Sequence, residues 1–234
     1  MARHARVAPG GLIYHVLNRS AGRIRLFRKD ADFEAFERIM AETHDLHPMR
    51  ILAWCIMSNH WHFVVWPRSD GDVTAYFRWL AHTHAMRWRV SHRTVGYGHL
   101  YQGRFKSFPV QSDNHFLTLC RYVERNPVPA GLVTRAEQWR WSSLWTRVHG
   151  TREQQAMLSD WPVPRPRGWV NHVNNPLTPK ELQRVRISLQ RDQPLGSETW
   201  VRRTAGRLGL EHTIRPEGRP PRQKAKGKAN GTEN

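Results

Sequence analysis

The chain has few of the features that place a protein in a membrane or outside the cell. No apolar run approaches the ~20 residues that a membrane-spanning helix needs. No N-terminal apolar segment resembles a secretory signal peptide. The two cysteines, Cys55 and Cys120, lie in apolar contexts and not in a Cys-x-x-Cys pair. We therefore expect buried, reduced thiols in a cytoplasmic protein, and neither a zinc site nor a membrane anchor.

Acidic residues are also scarce, because 19 Asp and Glu stand against 37 Lys and Arg, which gives a formal net charge of +18. The positive excess runs along most of the chain and is not confined to its end. Such a balance indicates a polyanionic partner, with nucleic acid ahead of an anionic membrane surface. Many of the 11 Trp neighbour an Arg, which suits stacking on bases, but ordinary core tryptophans explain them equally well.

The length of 234 residues allows one full core and an appendage, without internal repeats. Residues 1–150 are predicted to form the main domain. Alternating prolines indicate a semi-rigid linker, which we assign to residues 151–170. Residues 171–215 are predicted to form a small basic module of two helices, and residues 216–234 a disordered basic tail that lacks apolar side chains.

Hydrophobic periodicity predicts the order β-α-β-β-α-β-α over the main domain. This order favours the α+β class: an antiparallel sheet with helices packed on one face, of the ferredoxin-like or RRM-like kind. A further helix is predicted from Ala136 to about Val148. The predicted strands cover residues 12–19, 49–57, 59–66 and 105–111, and the predicted helices cover residues 30–44, 73–91 and 114–126.

The third predicted strand carries two histidines one residue apart. Because side chains alternate along a strand, His60 and His62 point to one face and Trp61 and Phe63 to the other. Two imidazoles one strand repeat apart, about 7 Å at the backbone, can converge on one divalent ion. A His-x-His pair also occurs by chance, so this interpretation needs further ligands.

The third predicted helix carries a partly polar stripe beside its apolar one. At about 100° per residue, His115, Leu119, Tyr122 and Asn126 lie along one line at the margin of the buried face. Asn126 offers a carbonyl oxygen suited to Mg²⁺ or Mn²⁺, and Tyr122 offers a phenol.

Structural roles would also explain these two residues, because a Tyr at a helix margin is usually part of the core and an Asn before Pro usually ends a helix. Their conjunction with the histidines and the basic charge suggests a site.

These residues resemble the signatures of a known family. His60-Trp61-His62 matches the HUH motif, in which U is a bulky apolar residue, and residues 122–127 match a single-tyrosine signature. The chain resembles the single-tyrosine HUH transposases, of the IS200-like superfamily, and among them the REP-associated tyrosine transposases of bacteria. The matching blocks occur in order along most of the chain, at residues 14–19, 57–62, 98–107, 121–133, 139–144, 196–201 and 218–220.

The resemblance implies a chemistry and a role for each site residue. His60, His62 and Asn126 would hold one Mg²⁺ or Mn²⁺, and Tyr122 would attack phosphorus to leave a 5′-phosphotyrosine bond and a free 3′-OH. His115 is a speculative helper of Tyr122. The implied substrate is single-stranded DNA folded into a hairpin, such as a repetitive extragenic palindrome, with no small-molecule cofactor and no membrane partner. A cytoplasmic, nucleoid-associated protein is expected, as a monomer or a homodimer.

A groove for such DNA needs cations for phosphates and rings for bases. Tyr101 and Trp61 are weaker candidates for base contacts, because a structural role explains both more simply. Gly218-Arg219-Pro220 resembles an AT-hook core, although a nonspecific solvated tail is an equal alternative. The candidates for DNA contact are Arg19, Arg23, Arg25, Arg104, Lys106 and Arg219.

Three other functions compete with a DNA-nicking and joining enzyme. A domesticated regulator that binds palindromic DNA without turnover would need neither Tyr122 nor the two histidines. An RNA-binding RRM-like protein fits the topology, but the third strand carries histidines where an aromatic RNA-binding motif is expected. A ribosome-associated basic protein explains the charge and not the convergence of His60, His62 and Tyr122.

Overall fold

A four-stranded antiparallel sheet forms the centre of the computed structural model, which describes residues 7–215. Across the sheet the strands lie in the order β2 (Arg50–Met57), β3 (His60–Trp66), β1 (Ile13–Arg19) and β4 (Lys106–Val110), and every neighbouring pair is antiparallel. The element order through the third helix agrees with the sequence prediction, and the α+β class is confirmed.

Side-chain caps begin several of the helices. Asp113 accepts a hydrogen bond from the backbone of His115 at the start of helix α3 (Asn114–Arg125), and Thr178 does the same for Glu181 in helix α7 (Pro179–Arg191). No helix among residues 7–215 is long and apolar enough to cross a membrane. The helices are α1 (Asp30–Leu46), α2 (Asp72–Ser91), α3 (Asn114–Arg125), α4 (Ser143–His149), α5 (Arg152–Ala156), α6 (Trp169–Asn174), α7 (Pro179–Arg191), α8 (Glu198–Leu208) and α9 (Glu211–Ile214).

One face of the sheet packs against α1 and α2 through large apolar rings. We call it the aromatic face; its sheet residues are Tyr14, Val16, Trp54, Ile56, Trp61, Phe63 and Val65. The helices add Phe33, Phe36, Ile39 and Met40 from α1, and Val73, Tyr76, Phe77 and Leu80 from α2. Trp61 and Phe63 alternate with the two histidines along β3, so strand alternation gives the two faces different chemistry.

The opposite face carries the histidines and is covered by α3 and by helices from the C-terminal part of the chain. We call it the histidine face; its residues are Ile13, His15, Leu17, Cys55, Met57, His60, His62, Val64, Phe108 and Val110. From α3, Phe116, Leu119, Cys120 and Val123 pack on it, and Trp169, Val173, Val185 and Leu195 extend the same cluster. Helices therefore cover both faces of the sheet, and the prediction that they pack on one face only is wrong.

The helix predicted from Ala136 to about Val148 is wrong in its first half. A 3₁₀ turn at Ala136–Gln138 is followed by an extended segment, and α4 begins only after Ser142, whose hydroxyl accepts from the backbone of Trp145. Trp139 and Trp141 instead hydrogen-bond with the backbone of Ile56, at 2.9 Å each. Contacts with β2 thus override the helical spacing of the tryptophans.

The C-terminal part of the described chain packs on the same sheet. The backbone of Leu195 donates to Pro109 and accepts from Gln111, which extends the free edge of β4. Short helices α5 and α6 lie in or at the end of the segment assigned to a linker, and α9 adds a third helix to the predicted pair. The division into domains stays a prediction.

Candidate active site

The site begins at the hairpin between β2 and β3. Ser58 and Asn59 form its two-residue turn, so His60 lies directly opposite Met57 at the start of β3. The rings of His60 and His62 lie 4.9 Å apart between centroids and are nearly perpendicular, at 88°. His62 is buried and His60 is half-buried. Both line an open cavity of about 1530 Å³.

Helix α3 brings the other two predicted residues to the same cavity. Tyr122 and Asn126 lie one helical turn apart, and both line the cavity beside the histidines. The ring centroids of Tyr122 and His62 are 6.1 Å apart. The Asn126 Nδ2 donates to the backbone carbonyl of Tyr122 at 3.3 Å, which leaves its Oδ1 without a hydrogen bond in residues 7–215. The structure therefore brings together all four residues, and their roles stay predictions.

Each histidine of the pair has its Nδ1 engaged on the side away from the cavity. The Nδ1 of His60 lies 2.7 Å from Asn59 Oδ1, an atom that only accepts, so this nitrogen carries the proton. The Nδ1 of His62 lies 2.9 Å from Nε2 of His15. The Nε2 atoms of His60 and His62 make no hydrogen bond with any residue that the structure describes. Two imidazole nitrogens are thus left for a ligand.

Burial controls the proton affinities of the site. It lowers the pKa of His60 to about 4, with a smaller contribution from the charge of Arg19. It also lowers the pKa of His62 well below its ordinary value, and that of His15 to about 3. All three rings are neutral at pH 7, which is the state that ligates metal ions. Burial raises the pKa of Tyr122, so its phenol is protonated at neutral pH.

Two guanidinium groups oppose the effect of burial on Tyr122. A hydrogen bond with the side chain of Asn126 lowers its pKa, and the positive charges of Arg186 and Arg19 lower it further. Arg19 ends β1 directly opposite His60 and lines the cavity. Arg186 lies on α7, one turn before the cavity-lining Leu189 and Gln190. The cavity therefore favours negative charge at the phenol oxygen more than burial alone would.

The donor set fits a divalent ion only if an amide oxygen takes part. No group of three His, Cys, Asp or Glu side chains in residues 7–215 is placed to hold a metal. His60 and His62 supply two neutral nitrogens, and Asn126 supplies the unpaired carbonyl oxygen in the same cavity. Imidazole and amide oxygen together suit first-row divalent ions such as Mn²⁺, and the oxygen also suits Mg²⁺.

Five of the six predicted DNA contacts lie in residues 7–215, and they divide into two groups. Arg19, Arg104 and Lys106 line the cavity, but Lys106 Nζ lies 3.1 Å from Asp192 Oδ1 and donates to the Leu189 carbonyl at 3.2 Å. Two further candidates, Arg23 and Arg25, are exposed on the loop after β1 and do not line the cavity; Arg219 lies outside the described residues.

Three weaker candidates have other partners. Trp61 is fully buried on the aromatic face and its Nε1 donates to the hydroxyl of Tyr101 at 3.0 Å, which supports the structural interpretation of both. His115 lies at the start of α3 with its Nδ1 2.8 Å from Asp113 Oδ1, and it does not line the cavity. Sharing a stripe with Tyr122 therefore does not bring His115 to the site.

The C-terminal helices complete the cavity wall. Helix α7 is fixed to α3 by the Arg121–Glu181 ion pair, at 2.5 Å, and by the buried Val185. Neither Arg186 nor His15 is among the site residues that the sequence predicts. The alternation of β1 does place His15 with Ile13 and Leu17, but only the pairing of β1 with β3 shows which histidine it meets.

Comparison with protein families identifies the first half of the chain. Residues 10–126 match the family model described as "Transposase IS200 like". That stretch begins before β1 and ends at Asn126, so it contains both histidines of the pair and Tyr122. No curated protein sequence matches the chain significantly.

Two solved structures are similar to this one. A REP-associated tyrosine transposase bound to a REP hairpin aligns with a TM-score of 0.51 and 18% identity, over 69% of this chain and 96% of its own. A candidate transposase from Deinococcus radiodurans aligns with a TM-score of 0.38 and 14% identity, over 53% of this chain and 96% of its own. The first likeness shows a shared fold. Because the family model covers half of the sequence, including the strands and the helix that build the site, the chain belongs to the IS200-like transposases.

Proposed function

We propose that this protein is a metal-dependent single-stranded DNA endonuclease and strand transferase that nicks and rejoins hairpin-forming DNA through Tyr122. One observation carries the proposal: Tyr122 lies 6.1 Å, between ring centroids, from His62 in a cavity shared with His60 and Asn126. The relative that is bound to a REP hairpin supports REP-like palindromic DNA as the substrate. Membership of a transposase family supports DNA cleavage and strand transfer.

The chemistry of Tyr122 follows from its surroundings. Its phenol oxygen forms a bond to the scissile phosphorus while the bond from phosphorus to O3′ breaks. The phenol loses its proton to solvent, and the departing O3′ gains one. Because burial raises the pKa of Tyr122, the proton leaves as the attack proceeds, and the nearby charges of Arg19 and Arg186 favour the resulting anion. The 5′-phosphotyrosine bond keeps the energy of the phosphodiester, so a second 3′-OH can reverse the step.

His60, His62 and Asn126 would hold one Mg²⁺ or Mn²⁺ beside the phenol. Such an ion, when bound, polarises the scissile phosphate and offsets the charge that develops on its oxygens. The neutral histidines are ready to bind without losing a proton, because burial lowers the pKa of both.

The cations of the cavity would bind the DNA backbone. Arg19 and Arg104 lie at the cavity, and Arg23 and Arg25 would extend the positive surface along the adjacent loop. Lys106 would exchange its pairing with Asp192 for a phosphate. We propose no small-molecule cofactor or membrane partner, a cytoplasmic, nucleoid-associated protein, and either a monomer or a homodimer.

A covalent-adduct assay tests this function. Single-stranded hairpins from the flanks of the gene itself are incubated with Mn²⁺ or Mg²⁺, and denaturing gels separate protein joined to labelled DNA. We expect an adduct with the native protein and with Tyr97→Phe, whose ring is 78% exposed on a loop, and none with Tyr122→Phe or with chelator. Tight hairpin binding without an adduct in either metal would instead support a palindrome-binding regulator without turnover.

A further inference from the structure

Strand β1 places a third histidine directly behind His62. The His15 Nε2 and His62 Nδ1 atoms are 2.9 Å apart, and the two rings stack with centroids 5.0 Å apart and an interplanar angle of 20°. His15 is fully buried, with the edge of Phe108 against its ring. The pairing of Leu17 with His62 in the β1–β3 register sets this contact. The close approach is therefore a product of the sheet itself.

Only one proton fits between these two nitrogens, so two arrangements are open to the neutral rings. In the first, His62 Nδ1–H donates to His15 Nε2, and the Nε2 of His62 keeps a lone pair for the cavity. In the second, His15 donates, and the Nε2 of His62 carries a hydrogen that prevents it from binding a metal. The partner of His62 thus decides whether His62 is a ligand.

His60 and His62 each have a neighbouring side chain within hydrogen-bond distance of Nδ1. Asn59 Oδ1 accepts from Nδ1 of His60 at 2.7 Å and fixes its tautomer, since an amide oxygen never donates. His15 occupies the corresponding place behind His62. Metal-binding histidines characteristically donate their second N–H to an acceptor of this kind, which orients the ring.

His15 also carries a polar atom for which packing alone gives no reason. Its Nδ1 is buried and has no hydrogen-bond partner among the described residues. A leucine or phenylalanine would fill the same apolar space beside Phe108 and Val64 without leaving a polar atom unpaired. The unpaired Nδ1 is explained if the other nitrogen of His15, Nε2, is needed to bond with His62.

We propose that His15 is a positioning residue that holds His62 as the Nδ1–H tautomer, with its Nε2 lone pair directed into the cavity. The inference rests on the proposed metal-binding function of His60 and His62. It adds a residue of β1 to the support of the site, and it does not depend on which DNA is cut.

Mn²⁺ binding without DNA tests the proposal. His15→Phe keeps an aromatic ring and removes the acceptor, whereas His15→Gln returns an amide oxygen near the position of Nε2. We expect His15→Phe to weaken Mn²⁺ binding about 10- to 100-fold by calorimetry, and His15→Gln to stay within about threefold of the native protein. His84→Phe is the matched control, because it removes a buried histidine of the aromatic face.

A spectroscopic measurement separates positioning from packing. Imidazole ¹⁵N shifts of the metal-free native protein at pH 7 should show His62 protonated on Nδ1, and electron spin echo spectra of bound Mn²⁺ should lose one nitrogen in His15→Phe. If that variant does not fold, His15→Asn, whose amide is too short to reach His62, takes its place against His15→Gln. Equal Mn²⁺ affinity in native protein and His15→Phe or His15→Asn would overturn the role of His15 alone. A native protein that binds no Mn²⁺ would overturn the metal site and this inference together.

Discussion

The two faces of the sheet are both buried, but they use their polar groups differently. On the aromatic face, Trp61 donates to the Tyr101 hydroxyl at 3.0 Å, and that hydroxyl lies 2.7 Å from His84 Nδ1. On the histidine face, His60 and His62 each use one nitrogen inside the protein and leave the other at the cavity. The contrast teaches that the hydrogen bonds among Trp61, Tyr101 and His84 stabilise the fold, whereas the two imidazole nitrogens left open at the cavity mark the site.

Alternation along β3 interleaves the two faces residue by residue. Trp61 lies between His60 and His62 in sequence, yet Trp61 contacts Phe77 and Tyr101, whereas the two histidines line the cavity together with Tyr122. Substitutions of adjacent residues should therefore have separate consequences, one for stability and one for chemistry.

Trp61→Ala should have the largest effect, and it should fall on stability. Trp61 is fully buried among rings of the aromatic face, so the change leaves a large cavity and removes the donor to Tyr101. We expect the free energy of unfolding to fall by about 3–5 kcal/mol, measured by urea denaturation. Leu46→Ala, at a side chain that is 59% exposed, is the control and should change it by less than about 0.5 kcal/mol. A loss for Trp61→Ala as small as that of the control would remove the distinction between the faces.

His60→Ala, at the residue next to Trp61, should have the converse effect: a small loss of stability and a large loss of activity. The ring of His60 is only half-buried, so we expect the free energy of unfolding to change by less than about 1 kcal/mol. Adduct formation should fall about 10²- to 10³-fold, because the proposed metal site would lose a ligand and hence some of its stabilisation of charge at the phosphate. Single-turnover cleavage of a hairpin measures the rate. Full activity in the variant would show that His60 is not part of the site.

Acid should destabilise the protein through a histidine on each face. Burial lowers the pKa of both His15 and His84 to about 3, below their ordinary 6.5. Their neutral forms therefore contribute stability that is present above pH 6.5 and is lost as the pH falls towards 3. At pH 5 we expect a loss of roughly 2 kcal/mol for each. Urea denaturation measures how much the free energy of unfolding falls between pH 7 and pH 5. This fall should be about 2 kcal/mol smaller in His84→Phe than in the native protein, and an equal fall in both would contradict this account.

Arg186→Ala should have the smallest effect, and it should change only the binding of DNA at the histidine face. Arg186 is exposed and makes no ion pair within residues 7–215, but its charge acts on Tyr122. We expect affinity for hairpin DNA to fall a few-fold and the slope of log affinity against log salt to decrease by about 1. Arg203→Ala removes the same charge from the exposed side of α8, away from the cavity lining, and should leave the slope unchanged. Equal slopes in both variants would place Arg186 outside the DNA path.

Local periodicity accounts for what the sequence could predict. The alternation of β3 places His60 and His62 together, and the helical stripe of α3 places Tyr122 one turn from Asn126. Both patterns are properties of short segments, so they survive without knowledge of the fold. The α+β class follows in the same way from the order of such segments.

Contacts between distant segments account for what the sequence did not reveal. His15 meets His62 only through the register of β1 against β3, and the charge of Arg186 acts on Tyr122 through the packing of α7 against α3. The tryptophans of residues 139–141 have helical spacing, but hydrogen bonds with Ile56 hold them extended. The second layer of helices was missed because no single segment shows which face it will cover.

Mass spectrometry of the covalent protein–DNA complex tests the central claim most directly. After nuclease and trypsin digestion, we predict that a nucleotide 5′-phosphate is attached to the tryptic peptide Tyr122–Arg125, and that the released strand ends in a 3′-OH. A modified peptide that contains any of the other tyrosines, Tyr14, Tyr76, Tyr97 or Tyr101, would contradict the assignment of the nucleophile. Cleaved DNA with a free 5′-phosphate and no peptide attached would contradict covalent catalysis itself.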